Sequence, residues 1–130
     1  MTDSARAHTK ILIVDDDAGI RDLFRGLLEL DRYAAIEAED AKSGLQAAVD
    51  FSPQLIIVDM RMPRMSGLDF LKAARANPDI RHIPVLVITA YSSASDGLDC
   101  LEAGAAGYLQ KPIKPEIFRR QVKAILGHPH

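Results

Sequence analysis

Five short apolar runs, each followed by a stretch of helical periodicity, leave this chain few ways to fold. Lys10 to Val14 (KILIV) is unbroken apolar sequence after its first residue, as a strand covered on both faces must be. Ile20, Leu23, Phe24, Leu27 and Leu28 follow at helical spacing, and Asp17 stands where a helix N-cap belongs. Tyr33 to Ala38 reads as a weaker second strand, ahead of Ala41, Leu45, Ala48 and Val49 on a second helix. Gln54 to Val58 is a third strand, and Ser66 with Asp69 forms a capping-box pattern before Phe70, Leu71 and Ala74. Pro84 to Ile88 is a fourth strand; the helix after it is expected from about Ala94 to Ala103, with Gly104 as its stop. Gly107 to Gln110 is a short fifth strand. Pro115 suits the first turn of a last helix carrying Phe118, Val122, Ile125 and Leu126 and stopping near Gly127.

Alternation of this kind in 130 residues implies one α/β domain: a mostly parallel sheet with helices on both faces. The expected fold is a flavodoxin-like, doubly wound (βα)5 domain with a five-stranded parallel sheet in the order 2-1-3-4-5. Right-handed crossovers narrow the topology, and the order itself is taken over from known doubly wound folds. The domain is expected over residues 10–127, with a flexible tail at 1–9 and a short one at 128–130. Hydrophobic residues make up 48% of the chain, enough for a sizeable core. A net charge of -2 gives no electrostatic reason to bind nucleic acid or an anionic membrane. Arg61, Arg64, Lys72 and Arg75 lie close in sequence and read as a solvated face and loop. Cys100 is the only cysteine, so no internal disulfide forms, and its apolar setting reads as core. Met1 to His8 has no apolar stretch of the kind a signal peptide needs, and no run reaches the length of a membrane span. A cytoplasmic location is expected. The four histidines show no metal-ligand spacing; His8, His128 and His130, near the ends, are expected in solvent.

Ligands of open α/β sheets bind outside the carboxyl ends of the strands, at the switch point between strands one and three. Asp15, Asp16 and Asp17 end the first strand, Asp59 the third, Thr89 and Ala90 the fourth, and Lys111 and Pro112 the fifth. Helix capping and solvation account for a single Asp there, but not for this whole set. Two carboxylates at about 4 Å repel by about 4 kcal/mol at an effective dielectric near 20. A bound divalent cation reverses that sign, and oxygen-only ligands point to Mg²⁺. A carboxylate can also accept a phosphoryl group as an acyl phosphate. The transfer then needs charge neutralisation and positioning, for which Lys111 and the Thr89 hydroxyl are suited.

At these residues the sequence strongly resembles the CheY-like receiver domains of response regulators in two-component signalling. The matching segments are Ile11–Asp17, Leu55–Leu71, Ile83–Ala90 and Gly104–Pro112, and the likeness runs from about Lys10 to Leu126. It implies that Asp59 is the phosphoacceptor and that Mg²⁺ is held by Asp15, Asp16, Asp59 and the backbone carbonyl of Arg61. Thr89, Ala90 and Lys111 would bind the phosphoryl group, with Tyr108 following Thr89 inward as the switch. The Lys111–Pro112 bond would be cis. The side chains two positions after the acceptor and two after Thr89, Arg61 and Tyr91, would border the path of a hydrolytic water and slow dephosphorylation.

Such a domain catalyses only its own phosphorylation and dephosphorylation. The implied partners are a histidine kinase or histidine phosphotransfer protein and a downstream protein met by the fourth helix, fifth strand and fifth helix. A phosphorylation-dependent homodimer is one form that output can take; direct contact with nucleic acid or membrane is not expected. The sequence leaves open a stand-alone regulator or a piece of a longer one. The competing enzyme reading starts from Asp15 and Asp17, a DxD after a strand as in haloacid-dehalogenase-like phosphatases. It makes Asp15 the nucleophile of a Mg²⁺-dependent phosphatase and leaves Asp59 unexplained. A flavin binder is disfavoured because the acidic first loop would repel a flavin phosphate.

Overall fold

The computed structural model describes residues 9–90 and 94–128. Its strands are β1 (Lys10–Val14), β2 (Ala34–Ala38), β3 (Leu55–Asp59), β4 (Val85–Thr89) and β5 (Gly107–Gln110). Its helices are α1 (Ala18–Leu30), α2 (Ala41–Phe51), α3 (Gly67–Ala76), α4 (Ala94–Glu102) and α5 (Pro115–Leu126). All neighbouring strands pair in parallel, in the order β2-β1-β3-β4-β5. The expected architecture and order therefore stand. β1 and β5 keep their expected bounds, while β3 and β4 lie one residue later, taking in Asp59 and Thr89, and β2 starts after the buried Tyr33.

The unbroken apolar runs feed two cores, because a strand's side chains alternate between the faces of its sheet. Leu12, Val14, Ile56, Val58, Val85 and Val87 meet Ala41, Ala48, Phe70, Leu71, Ala74 and Cys100 on one face. Ile11, Ile13, Leu55, Ile57, Leu86 and Ile88 meet Phe24, Leu27, Leu28, Phe118 and Val122 on the other. Helices α2, α3 and α4 thus cover the first face, α1 and α5 the second. Phe24 and Phe118 stack with centroids 4.8 Å apart, joining α1 to α5. Cys100 is fully buried, as its setting indicated.

The caps seen in the sequence form. Asp17 accepts from the backbone of Gly19 and Ile20, and Ser66 and Asp69 close a reciprocal capping box. Gly104 and Gly127 end their helices at φ +98° and +73°, the left-handed region glycine enters without steric cost.

Two expectations need correction. His128 does not stand in solvent: it is half-buried, with Nδ1 2.9 Å from the Tyr33 hydroxyl. Tyr33 brings a polar tip to an otherwise apolar core edge, and the imidazole satisfies it. Arg75 is not part of a solvated face either. Its guanidinium donates to the carbonyls of Arg81 at 2.9 Å and Gly104 at 3.4 Å, tying α3 to two loops. Arg61, Arg64 and Lys72 are exposed, as expected. A third anchor was not visible in the sequence. Buried Asp31, just past α1, accepts from Arg119 Nε and Nη2 at 3.0 and 2.9 Å, with Lys123 Nζ at 3.0 Å.

Candidate functional site

Parallel pairing in this order carries the ends of β1, β3 and β4 and the start of the loop after β5 to one edge of the sheet. Asp15 follows β1, and its N–H donates to Ala38 of β2 at 3.1 Å. Its carboxylate is buried. Oδ1 accepts from the Asp17 N–H at 2.9 Å. Oδ2 is buried with no hydrogen-bond partner, 3.9 Å from Lys111 Nζ. Asp59 closes β3, also buried, with Oδ1 3.0 Å from the same Lys111 Nζ. Asp16 is exposed at the rim. One carboxylate oxygen from each of Asp15, Asp16 and Asp59 lies within 4.8 Å of the others. Asp17 is spent on capping α1, its Oδ1 2.8 Å from the Gly19 N–H.

Burial is the main reason the Asp15 carboxyl is pushed up to about 6. Asp59 and Asp16 push the same way, while the Asp17 N–H and Lys111 oppose them. A buried oxygen without a partner is costly in a folded protein. Three clustered carboxylates with such an oxygen form a donor set that fits a hard divalent cation.

The backbone around Asp59 is held tightly. The Met60 N–H donates to Ile88 O at 2.7 Å, and the Gly67 N–H to Met60 O at 2.8 Å. A Cβ on Gly67 would lie 2.6 Å from the Asp59 carbonyl oxygen, so only glycine lets α3 start this close to the end of β3. Gly67 lies within the Leu55–Leu71 segment, but its steric role emerges only from the packing. Arg21 is likewise a contributor that the sequence did not mark. Its Nη1 donates to the Asp15 carbonyl at 2.7 Å, fixing the first loop from α1.

Thr89 is buried at the end of β4 and Ala90 is exposed just after it. The Lys111 N–H donates to Thr89 O at 2.6 Å, and the Lys111–Pro112 bond is cis. Tyr108, opposite Val87 in the β4–β5 register, is half-buried and packs on the core under α2, α3 and α4. Arg61 is exposed on the loop after Asp59, and Tyr91 lies outside the described residues. A cleft of about 580 Å³ opens beside the carboxylates rather than over them; of the site residues only Asp16 lines it.

The family model of the response regulator receiver domain matches residues 11–123. The chain belongs to the response regulator receiver family. Among its relatives, the polar-differentiation response regulator DivK of Brucella anthropi is 32% identical over 90% of this chain and 95% of that protein. The phosphate regulon transcriptional regulatory protein PhoB of Klebsiella pneumoniae is 35% identical over 90% of this chain, which spans 51% of PhoB. Among solved structures, the chemotaxis response regulator CheY4 of Vibrio cholerae aligns with a TM-score of 0.84 at 31% identity, covering 90% of this chain and 98% of CheY4. This receiver is thus a phosphoaccepting module of two-component signalling, and the family's partners are histidine kinases and phosphotransfer proteins. Receiver domains are signalling modules rather than conventional enzymes, and they generally use Mg²⁺ at an acidic pocket. The phosphatase reading centred on Asp15 finds no support in these likenesses. Among the described residues, no helix is long and apolar enough to cross a membrane.

Proposed function

We propose that Asp59 is the phosphoacceptor of this receiver, charged by a histidine kinase or histidine phosphotransfer protein. The observation that carries this reading is the shared ammonium: Lys111 stands 3.0 Å from Asp59 and 3.9 Å from the Asp15 oxygen that receives no hydrogen bond. Asp15, Asp16, Asp59 and the Arg61 carbonyl would hold Mg²⁺. When bound, the cation neutralises charge on the carboxylates and on the transferring phosphoryl oxygens.

An Asp59 carboxylate oxygen forms the new O–P bond as the P–N bond of the donor phosphohistidine breaks, and the freed imidazole keeps the electron pair. Lys111 then moves its ammonium from the Asp59 oxygen to a phosphoryl oxygen, as a mobile point charge can. Thr89, with the Ala90 backbone beside it, meets the phosphoryl group from β4. Its shift leaves room for Tyr108 to move inward, changing the surface of α4, β5 and α5. That surface carries exposed Leu98, Leu101 and Ile117, which suits a protein target or a second copy of the chain.

Thr89→Ala is therefore expected to accept phosphate yet transmit it poorly. In two-dimensional NMR, phosphorylation of the parent should move resonances across α4, β5 and α5, and the variant should lose most of that response. Changes confined to the loop after Asp59, the same in both proteins, would sink the switch assignment.

The lifetime of the phosphorylated state falls to Arg61 and Tyr91. Neither offers a carboxylate or amide to orient an attacking water, so slow self-dephosphorylation is expected. Arg61→Asn, Tyr91→Glu and the double variant should each decay faster than the parent, about tenfold for 1.4 kcal/mol at the barrier. If the purified parent decays as fast as all three, the shielding idea is wrong.

A further inference from the structure

Helix α4 carries a glycine in its interior, where glycine disfavours the helix, and Gly97 is neither a cap nor a turn. What it does face is Tyr108. A Cβ built on Gly97 would lie 3.4 Å from Cε1, 3.5 Å from Cζ and 3.6 Å from Cδ1 of that ring. The half-buried tyrosine thus sets one edge at van der Waals distance from a Cβ at 97, which leaves room for a methyl group but for little beyond it on that side. On α4 the neighbouring Leu98 and Leu101 point to solvent, at 56% and 54% exposure, so the contact lies beside the surface assigned to output.

We infer that the missing side chain at Gly97 sets the resting place of Tyr108, and that the size of residue 97 decides how far this surface responds. The inference rests on the reading above, in which Tyr108 moves when Asp59 is phosphorylated. A methyl group at 97 would meet the ring at ordinary van der Waals distance, so Gly97→Ala should leave it in place. Valine adds two carbons one bond further out. In a helix its stiff χ1 keeps them from swinging freely aside. The ring must then leave its resting place. A phosphoryl mimic no longer has to draw it away, and the cost of that shift disappears from the binding equilibrium.

The test uses ring-labelled tyrosine NMR, with Tyr108 assigned through Tyr108→Phe, and beryllofluoride with Mg²⁺ as a non-covalent phosphoryl mimic. In Gly97→Val the ligand-free Tyr108 signal should already be displaced. Its further shift on adding the mimic should fall, and the mimic should bind tighter, about fivefold. Gly97→Ala should match the parent in all three. Gly97→Leu carries comparable bulk in a better helix former, and serves if valine unsettles α4. An unmoved ligand-free signal in both bulky variants overturns the inference, as does unchanged or weaker binding of the mimic. A parent whose Tyr108 signal ignores the mimic defeats the switch reading instead. A displaced ligand-free signal in the bulky variants would then still establish the resting place.

Discussion

Asp59→Asn is expected to take up no phosphoryl group from a small acyl phosphate with Mg²⁺, where the parent takes up one. The amide nitrogen and oxygen cannot form the mixed anhydride that a carboxylate forms, so the substitution removes the nucleophile and leaves the shape. Removing a nucleophile costs about a thousandfold in rate or more, well beyond what a packing change of this size would do. Asparagine at 59 can still accept from Lys111 Nζ, which now lies 3.0 Å from Asp59 Oδ1. Folding should survive, and the loss should be chemical. Intact-mass measurement after incubation with the donor reads the result directly. Full incorporation in Asp59→Asn, with loss in Asp15→Asn, would move the acceptor to Asp15 and overturn the assignment.

The fold was legible because both faces of the sheet are buried. That condition gave β1, β3 and β4 unbroken apolar runs, and the helices between them kept their own period. The candidate site was legible for a related reason. Strand ends bring distant residues together whatever the intervening loops do, so Asp15, Asp59, Thr89 and Lys111 could be grouped once the topology was given. What escaped depends on single contacts across the fold. Asp31 pairs with Arg119, 88 residues on, and nothing local distinguishes it from a solvated acid after a helix. His128 looked like a tail residue until its bond to Tyr33 placed it on the end of the core. Ser52 and Arg64, at φ +46° and +71°, carry no glycine to betray a left-handed turn. Nothing in the sequence singles out Gly67 or Gly97; their use lies in what approaches them, the Asp59 carbonyl and the Tyr108 ring.

Burial of Asp15 yields the last prediction. Its carboxyl is raised to about 6 from an ordinary value of 3.8, first by desolvation and then by Asp59 and Asp16. A raised carboxyl means that the folded state prefers the proton. Its contribution to stability is therefore full below pH 3.8 and is lost as pH rises through about 6. Two pKa units correspond to about 3 kcal/mol, and the group is too buried for solvent to screen much of it away. Asparagine keeps the acceptor for the Asp17 N–H and carries no charge at any pH. Metal-free Asp15→Asn should therefore melt about 10 °C above the metal-free parent near pH 8, given about 3–5 °C per kcal/mol at this chain length. Near pH 4.5 most of that difference should vanish, because the parent then holds its own proton. Asp31 works in the opposite sense: hydrogen bonds from Arg119, more than the Lys123 contact, hold its carboxyl below the usual range. Its stabilisation is present above the ordinary carboxylate value and fails as acid protonates it, so both proteins should lose stability together at the acid end. Mg²⁺ at millimolar concentration should raise the melting temperature of the parent near pH 8 by filling the place of the missing charge partner. It should do little for Asp15→Asn or Asp16→Ala. Melting curves of the three proteins with Mg²⁺ and with a chelator decide the matter. A metal-free Asp15→Asn that melts no higher than the parent near pH 8 would show that the cluster does not strain the fold. A parent indifferent to Mg²⁺ would remove the cation from these carboxylates.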